Sequence, residues 1–381
     1  MSAEPDSFTA ALQTVRHPLS TSRTLPPVCY HRSDWLDKEI ETVFSNGWVY
    51  VGRQDQWPNP GDFEAMNLCG VPLVITRDGE GQLHALSNTC LHRSSEIASG
   101  SGNCKALVCP FHGWSYDHWG NLLSAPRMES AEGFAESEIR LPEFTLAESD
   151  GFVFIHLGSE PEPLEYWLED FSDLHMPWSL GSLVTTRSRS FDVNCNWKLF
   201  LEVFNEYYHL PYVHGKSINH YYPEPDPSDP VMGQFTTQFG LTSANPALLD
   251  DSQDAGFPHI GSLQGRDAEG TRYTWVYPNL TFAASVDCIW VYHVYPLTAR
   301  TCRAVQTICF PPETVARDDF EQNAAEYYNR FDVAIDEDIP ALEKQQQGME
   351  SPFAAQGRFS VLEPSVGNFA CWYAALLGNE R

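Results

Sequence analysis

Four residues offer chemistry at once: Cys90, His92, Cys109 and His112. They stand on two short turns, Cys90-Leu-His92 and Cys109-Pro-Phe-His112, with 16 residues between. Each turn supplies one thiolate and one imidazole. Structural zinc sites usually pair like ligands, Cys with Cys and His with His. One of each per turn suits a [2Fe–2S] cluster in which one iron takes two thiolates and the other two imidazoles. Neutral imidazoles in place of thiolates raise the potential and make the cluster a mild electron donor. Gly100 and Gly102 permit a tight loop between the turns, and Pro110 and Gly113 let backbone amides approach the sulfurs. Cys104 sets up a Cys-x4-Cys spacing with Cys109, but His112 follows where a ferredoxin would place Cys. It reads as an ordinary loop or buried thiol. A structural zinc remains the alternative for the four ligands.

A second group lies in NWKLFLEVFNEYYHLPYVHGK, residues 196–216. Oxygen activation at non-haem Fe(II) uses two His and one carboxylate on one face of the ion. His209 and His214 are five residues apart, and on a regular helix their rings would diverge by about 140°. Pro211 removes a backbone donor between them, so a kink or stop there is expected to let both rings reach one ion. A carboxylate close by, such as Glu206, could accept from ring N–H groups and fix their orientation.

The two stretches together resemble the oxygenase (alpha) subunits of Rieske non-haem iron oxygenases, over about Leu25 to Gly348. CLHR and CPFHGWSYD resemble the cluster loops, and Asn196-Trp197-Lys198 with Glu206, His209 and His214 resembles the iron motif. The resemblance implies that His209 and His214 hold the mononuclear Fe(II). It implies that Glu206 joins His112 of the neighbouring subunit's cluster to His209. Most members carry Asp at that position, and some acting on quaternary ammonium compounds carry Glu. Val203 stands where many members have Asn. The third iron ligand is expected from AIDEDIPALEKQQQGMES, where the distance to Gly348 selects Asp338 over its neighbours Asp336 and Glu337. The implied assembly is a head-to-tail homotrimer.

Around these residues the text divides. Ser33 can cap a helix through Trp35, Leu36, Ile40, Val43 and Phe44, whose apolar spacing is helical. VPLVITRDGEGQLHALSNTC reads as two strands joined by a Gly-containing turn, and GFVFIHLG as another. SEPEPLEYW reads as a linker. Beyond it, NWKLFLEVFNEYYHL and DDFEQNAAEYYNRFDVAIDEDIPALEKQQQ read as helices, and TRYTWVYPNLTFAASV and DCIWVYHVYPL as strands. The expected class is α+β: an N-terminal segment over 1–46 packing on the catalytic domain, a Rieske β domain over 47–160, and a catalytic iron domain over 161–381. The resemblance makes the last a helix-grip fold.

Composition sets further bounds. The 381 residues carry 51 acidic and 23 basic side chains, a net charge of −28. Such a chain repels nucleic acid and anionic membranes. Its acidity serves solvation, attraction of a cationic substrate, or both. No basic start with an apolar core opens the sequence and no long apolar run follows, so a cytoplasmic protein with reduced thiols is expected. No dinucleotide fingerprint or phosphate loop is present. Electrons must come from a separate NAD(P)H-dependent reductase, directly or through a ferredoxin.

The expected reaction is oxygenation of a small molecule with O2. One substrate class is a quaternary or tertiary ammonium compound of the betaine, choline or carnitine type. Glu206, a resemblance of TLPPVCY to the choline and glycine-betaine monooxygenase branch, and the abundance of aromatics support it. Tyr208, Tyr212, Trp275, Trp290 and Tyr292 are the candidate cage around such a cation. The other class is an aromatic ring or aromatic acid, and an acid would favour an Arg near the iron. The third reading is a Rieske electron carrier with an inactive second site.

Overall fold

The computed structural model describes residues 10–378. The chain forms two compact units. One is Tyr50–Pro161; the other joins the chain before it to the chain after it.

The smaller unit is β throughout. Its main sheet runs, in spatial order, Trp48–Arg53, Phe152–His156, Glu143–Ser149, Leu83–Ser87, Val71–Arg77, Asp62–Leu68 and Ser101–Asn103. The expected hairpin is there, with Val71–Arg77 paired antiparallel to Leu83–Ser87. A second sheet of Leu107–Val108, Ser115–Tyr116 and Leu122–Ser124 carries the Cys109–His112 turn between its first two strands. Leu86, Ile97, Leu107, Trp114, Tyr116 and Leu141 form one core beneath the two Cys/His turns, and Cys90 and Cys109 belong to it. Gly113 takes φ +74°, a conformation that Cβ-bearing residues avoid, and its N–H bonds back to the Cys109 carbonyl at 3.0 Å. The turn is closed by the Cys109 amide on the Trp114 carbonyl at 2.8 Å.

The larger unit is built on a six-stranded antiparallel sheet, in the order Val184–Val193, Thr301–Phe310, Ile289–Thr298, Leu280–Ala284, Gly270–Val276 and Phe235–Leu241. Both faces are covered, so its strands carry apolar side chains in both directions. On one face Phe282 and Thr274 meet Phe171 and His175 from the segment after the linker. The helix Trp197–Phe204 lies on the other, with Phe200 and Phe204 against Tyr292 at 5.7 and 5.0 Å. The helix Pro364–Gly378 brings Phe369 to stack on Trp275 at 4.0 Å. The 30-residue helix Phe320–Met349 meets the sheet through Phe331 against Trp290 and Tyr328 on Thr186, and tolerates Pro340 inside it.

Three local expectations change. Ser33 is the first helical residue and not the cap; Arg32 takes that place without a side-chain bond, and Ile40–Phe44 winds as a π-helix. The helix over residues 196–210 does not run on to Pro211 but ends at Phe204. Asn205 ends it by donating its amide to the Leu201 carbonyl at 2.7 Å, while Thr281 donates to the Asn205 oxygen at 3.0 Å. Pro211 instead sits in the first turn of the next short helix, Leu210–Val213, where its missing N–H costs nothing. The linker holds a helical turn of its own, Leu164–Leu168.

The segment before the smaller unit packs on the catalytic sheet's helices. Glu39 and Lys198 form a fully buried ion pair, the indole of Trp197 donates to Glu39 at 2.8 Å, and Lys198 also donates to the Cys29 carbonyl at 2.8 Å.

Candidate functional site

The first group lies within the smaller unit. Cys90 and Cys109 are each 2% exposed, His92 is half-buried and His112 is exposed. The two imidazoles face each other with ring centroids 4.6 Å apart, and His92 stacks on Trp114 at 4.9 Å. The Tyr116 hydroxyl lies 3.4 Å from the Cys90 sulfur and accepts the Leu91 amide at 3.1 Å. His92 Nδ1 is buried with no hydrogen-bond partner. A buried polar nitrogen without a partner is costly unless it binds something, and a metal ion is what an imidazole beside two buried thiols would bind. Cys104 stands apart from this set, half-buried and 3.9 Å from His118.

The second group lies within the larger unit. The loop Asn205–His209 turns the chain so that His209 and His214 present their rings to one point, with centroids 5.0 Å apart. Asp338 comes to the same point from the long helix. Its Oδ1 lies 3.0 Å from His214 Nε2 and 3.7 Å from His209 Nε2. Among the described residues this is the one set of three or more His, Cys, Asp or Glu whose ligand atoms all lie within 4.8 Å of one another. Asp338 Oδ1 is buried and accepts no hydrogen bond. Two imidazole nitrogens and a bare carboxylate oxygen fit a ferrous ion with positions left open.

The outward nitrogens are held too. His209 Nδ1 meets Glu206 at 2.6 Å, and His214 Nδ1 meets Glu337 at 2.7 Å, which in turn accepts Ser217 at 2.6 Å. Each carboxylate keeps the proton on Nδ1 and leaves the Nε2 lone pair for a metal. Glu206 does more: its other oxygen accepts the backbone amides of Tyr208 and His209, so it shapes the loop that aims His209. Nearby, burial pushes the Glu202 carboxyl up to about 7, opposed by the bond from Tyr30 and by Lys198. Glu363 is raised as well, by burial and by Glu206. Carboxyl groups therefore crowd this side of the triad, and burial holds Glu202 and Glu363 toward their neutral forms.

A cavity of about 60 Å³ opens onto His209, His214 and Asp338. Its walls include Val203, Phe204, Tyr222, Tyr273, Trp290 and Tyr292. Burial pushes the phenols of Tyr273 and Tyr292 up, so they stay neutral. Of the five candidate cage aromatics, Trp290 and Tyr292 line this pocket. Trp275 is spent on Phe369 in the core, while Tyr208 and Tyr212 are exposed, at 53% and 84%. Tyr222, Tyr273 and Arg330 were not foreseen. Strand register could have supplied Tyr273, which is joined through Ala283 to Trp290 on one face. Helical spacing could have supplied Arg330, which shares a stripe with Ala334 and Asp338.

Comparisons with known proteins find a family for each part of the chain that carries a candidate site. Residues 47–144 match the Rieske [2Fe–2S] domain, and residues 180–379 match the ring hydroxylating alpha subunit (catalytic domain). The chain is 27% identical to the chloroplastic choline monooxygenase of Spinacia oleracea, over 93% of this chain and 78% of that one. It is 27% identical to the glycine betaine monooxygenase oxygenase subunit of Chromohalobacter salexigens, over 92% and 85%. A crystal structure of the quaternary ammonium Rieske monooxygenase CntA with L-carnitine superposes with a TM-score of 0.78 over 99% of both chains; at 22% identity it speaks for the fold. The enzyme is thus an oxidoreductase that uses O2, a Rieske cluster and a mononuclear iron, and draws electrons from a separate reductase. The chain belongs to the ring-hydroxylating oxygenase alpha-subunit family.

Proposed function

We propose that this protein is the terminal oxygenase that hydroxylates or N-demethylates a small quaternary or tertiary ammonium compound of the betaine, choline or carnitine type. The observation that carries the reading is the pocket. It is walled by neutral aromatics with Arg330 beside them and ends at the triad, and the aromatic faces suit a methylated cation by cation–π attraction. The names of the relatives, choline and glycine betaine monooxygenases, support it.

In this reading Cys90, Cys109, His92 and His112 hold the cluster, and His209, His214 and Asp338 hold Fe(II). When bound, the two centres would supply one-electron transfer from the reductase and the oxygen chemistry by which C–H, O2, two electrons and two protons become C–OH and water. Glu206 and Glu337 hold the Nδ1 protons and so fix both imidazoles. The aromatic walls exclude water and keep an N-methyl group at the metal end. Hydroxylation of that methyl gives a carbinolamine, which loses formaldehyde to leave the demethylated amine.

We further propose the homotrimer, with Glu206 linking His209 to the partner subunit's His112. Leu91, Val108 and Phe111 are exposed beside the cluster turns, and Tyr208 and Tyr212 beside Glu206, which supports burial of both patches between subunits. The free cysteines support a cytoplasmic setting. Among the described residues no helix is long and apolar enough to cross a membrane.

The test is one cycle of anaerobic reduction and exposure to O2 with betaines, choline, carnitine and aromatic acids, read by mass spectrometry. Formaldehyde with a demethylated amine is expected; a hydroxylated ring would overturn the substrate class. H209A should lose turnover and bound mononuclear iron while keeping the reduced-cluster signal. Undiminished turnover would refute the iron assignment.

A further inference from the structure

Arg330 is the cation in the iron pocket, and the protein leaves it unpaired. It is 4% exposed and lines the same space as the triad. Elsewhere the arginines find carboxylates readily: Arg187 and Arg189 share Asp332, Arg272 takes Asp229, and Arg303 takes Asp192. Arg330 has none within 4.0 Å among the described residues, although the chain carries 51 acidic side chains. It donates one bond, to the Tyr222 hydroxyl at 2.9 Å, and its Nε is buried with no partner. Its plane lies over Trp290 at 5.4 Å and Phe331 at 5.2 Å. The two rings offset part of the cost of burying a guanidinium, but the group cannot shed its charge, and its Nε stays unmet.

Its place along the helix completes the picture. Arg330 precedes Asp338 by eight residues, about 12 Å of helix, with Ala334 on the same stripe between them. Ala334 lines the pocket between the two charges and offers only a methyl. The pocket therefore has a cationic end at Arg330 and a metal end where the two carboxylates, Asp338 and Glu206, would balance a bound ferrous ion.

We propose that Arg330 binds a carboxylate on the substrate, at the end away from the carbon that is oxidised. This rests on the oxygenase reading above and narrows its substrate to acids. The favoured occupant is a zwitterion, with its ammonium group among the aromatics toward the metal end and its carboxylate on Arg330. The planar fork of Arg330 suits two carboxylate oxygens; an alcohol in the same place offers one neutral acceptor.

The experiment is calorimetric titration of the holoenzyme with trimethylammonio-carboxylates having one to three methylenes, the matching trimethylammonio-alcohols, and benzoate. Wild type is compared with R330Q and R330K, and the mononuclear iron content with the thermal midpoint reports that the larger unit of each variant is folded. The wild type should prefer a carboxylate to its alcohol by about 10- to 100-fold, the range for a hydrogen-bonded charge. R330Q should erase that preference by weakening the carboxylate alone. R330K, a point charge without the fork, should retain part of it and serves if the Gln variant does not fold. A preference that survives R330Q, an equal loss for acid and alcohol, or no carboxylate binding to the wild type would each overturn the proposal. Arg330-dependent binding of benzoate alone would keep the anchor and remove the ammonium reading. Tight zwitterion binding indifferent to R330Q would do the reverse.

Discussion

At the scale of single residues, the candidate iron site is two layers deep. His209, His214 and Asp338 face one another, and behind them Glu206 and Glu337 hold the outer nitrogens at 2.6 and 2.7 Å. Glu206 is the more informative, because it bonds both the ring and the backbone of His209. Glu206→Gln keeps the size and an acceptor but loses the charge that favours an anchored Nδ1 proton. The variant is expected to hold cluster and iron in full while oxidation of the reduced cluster by O2 and substrate slows at least tenfold. Stopped-flow absorbance of the cluster would measure this; an unchanged rate would remove Glu206 from the electron route. Val203 shows the opposite kind of residue. Its apolar side chain forms pocket wall, and the buried amide in this region is Asn205, which is occupied with Leu201 and Thr281.

At the scale of elements, the site depends on where one helix stops. Asn205 ends Trp197–Phe204 before the histidines, and the loop that follows frees both rings from the 100° step of the helix. That helix is pinned from behind by Glu39, whose carboxylate is buried between Lys198 and Trp197. Removing one partner of a buried pair strands the other charge, so E39A should cost about 3–5 kcal/mol of stability. Urea denaturation followed by tryptophan fluorescence would show it, and a loss below 1 kcal/mol would mean that water reaches Lys198. The sequence showed Glu39 only as a polar residue in a helical pattern. Its burial follows from contacts with residues about 160 and 330 positions away, Lys198 and Tyr373.

For the whole molecule, the dominant quantity is charge. A net −28 on 381 residues stores self-repulsion in the folded chain. Raising salt from about 0.1 M to 1 M shortens the screening length from about 10 Å to 3 Å. The thermal midpoint is therefore expected to rise with potassium chloride, and a flat or falling midpoint would show that local ion pairs outweigh the net repulsion. What the sequence determined by itself was the local chemistry. Two Cys/His turns, and two histidines in one short stretch, lie close enough along the chain for spacing to group them as candidate ligands. It could not decide what lies far apart. Asp336, Glu337 and Asp338 are consecutive acids, and each helical step of about 100° sends them in different directions. Packing of the long helix leaves Asp336 exposed, sets Glu337 against His214 Nδ1 and Ser217, and turns Asp338 to the two Nε2 atoms. The same packing buries Arg330 in the pocket, because the phase of a helix is fixed only by what it lies against.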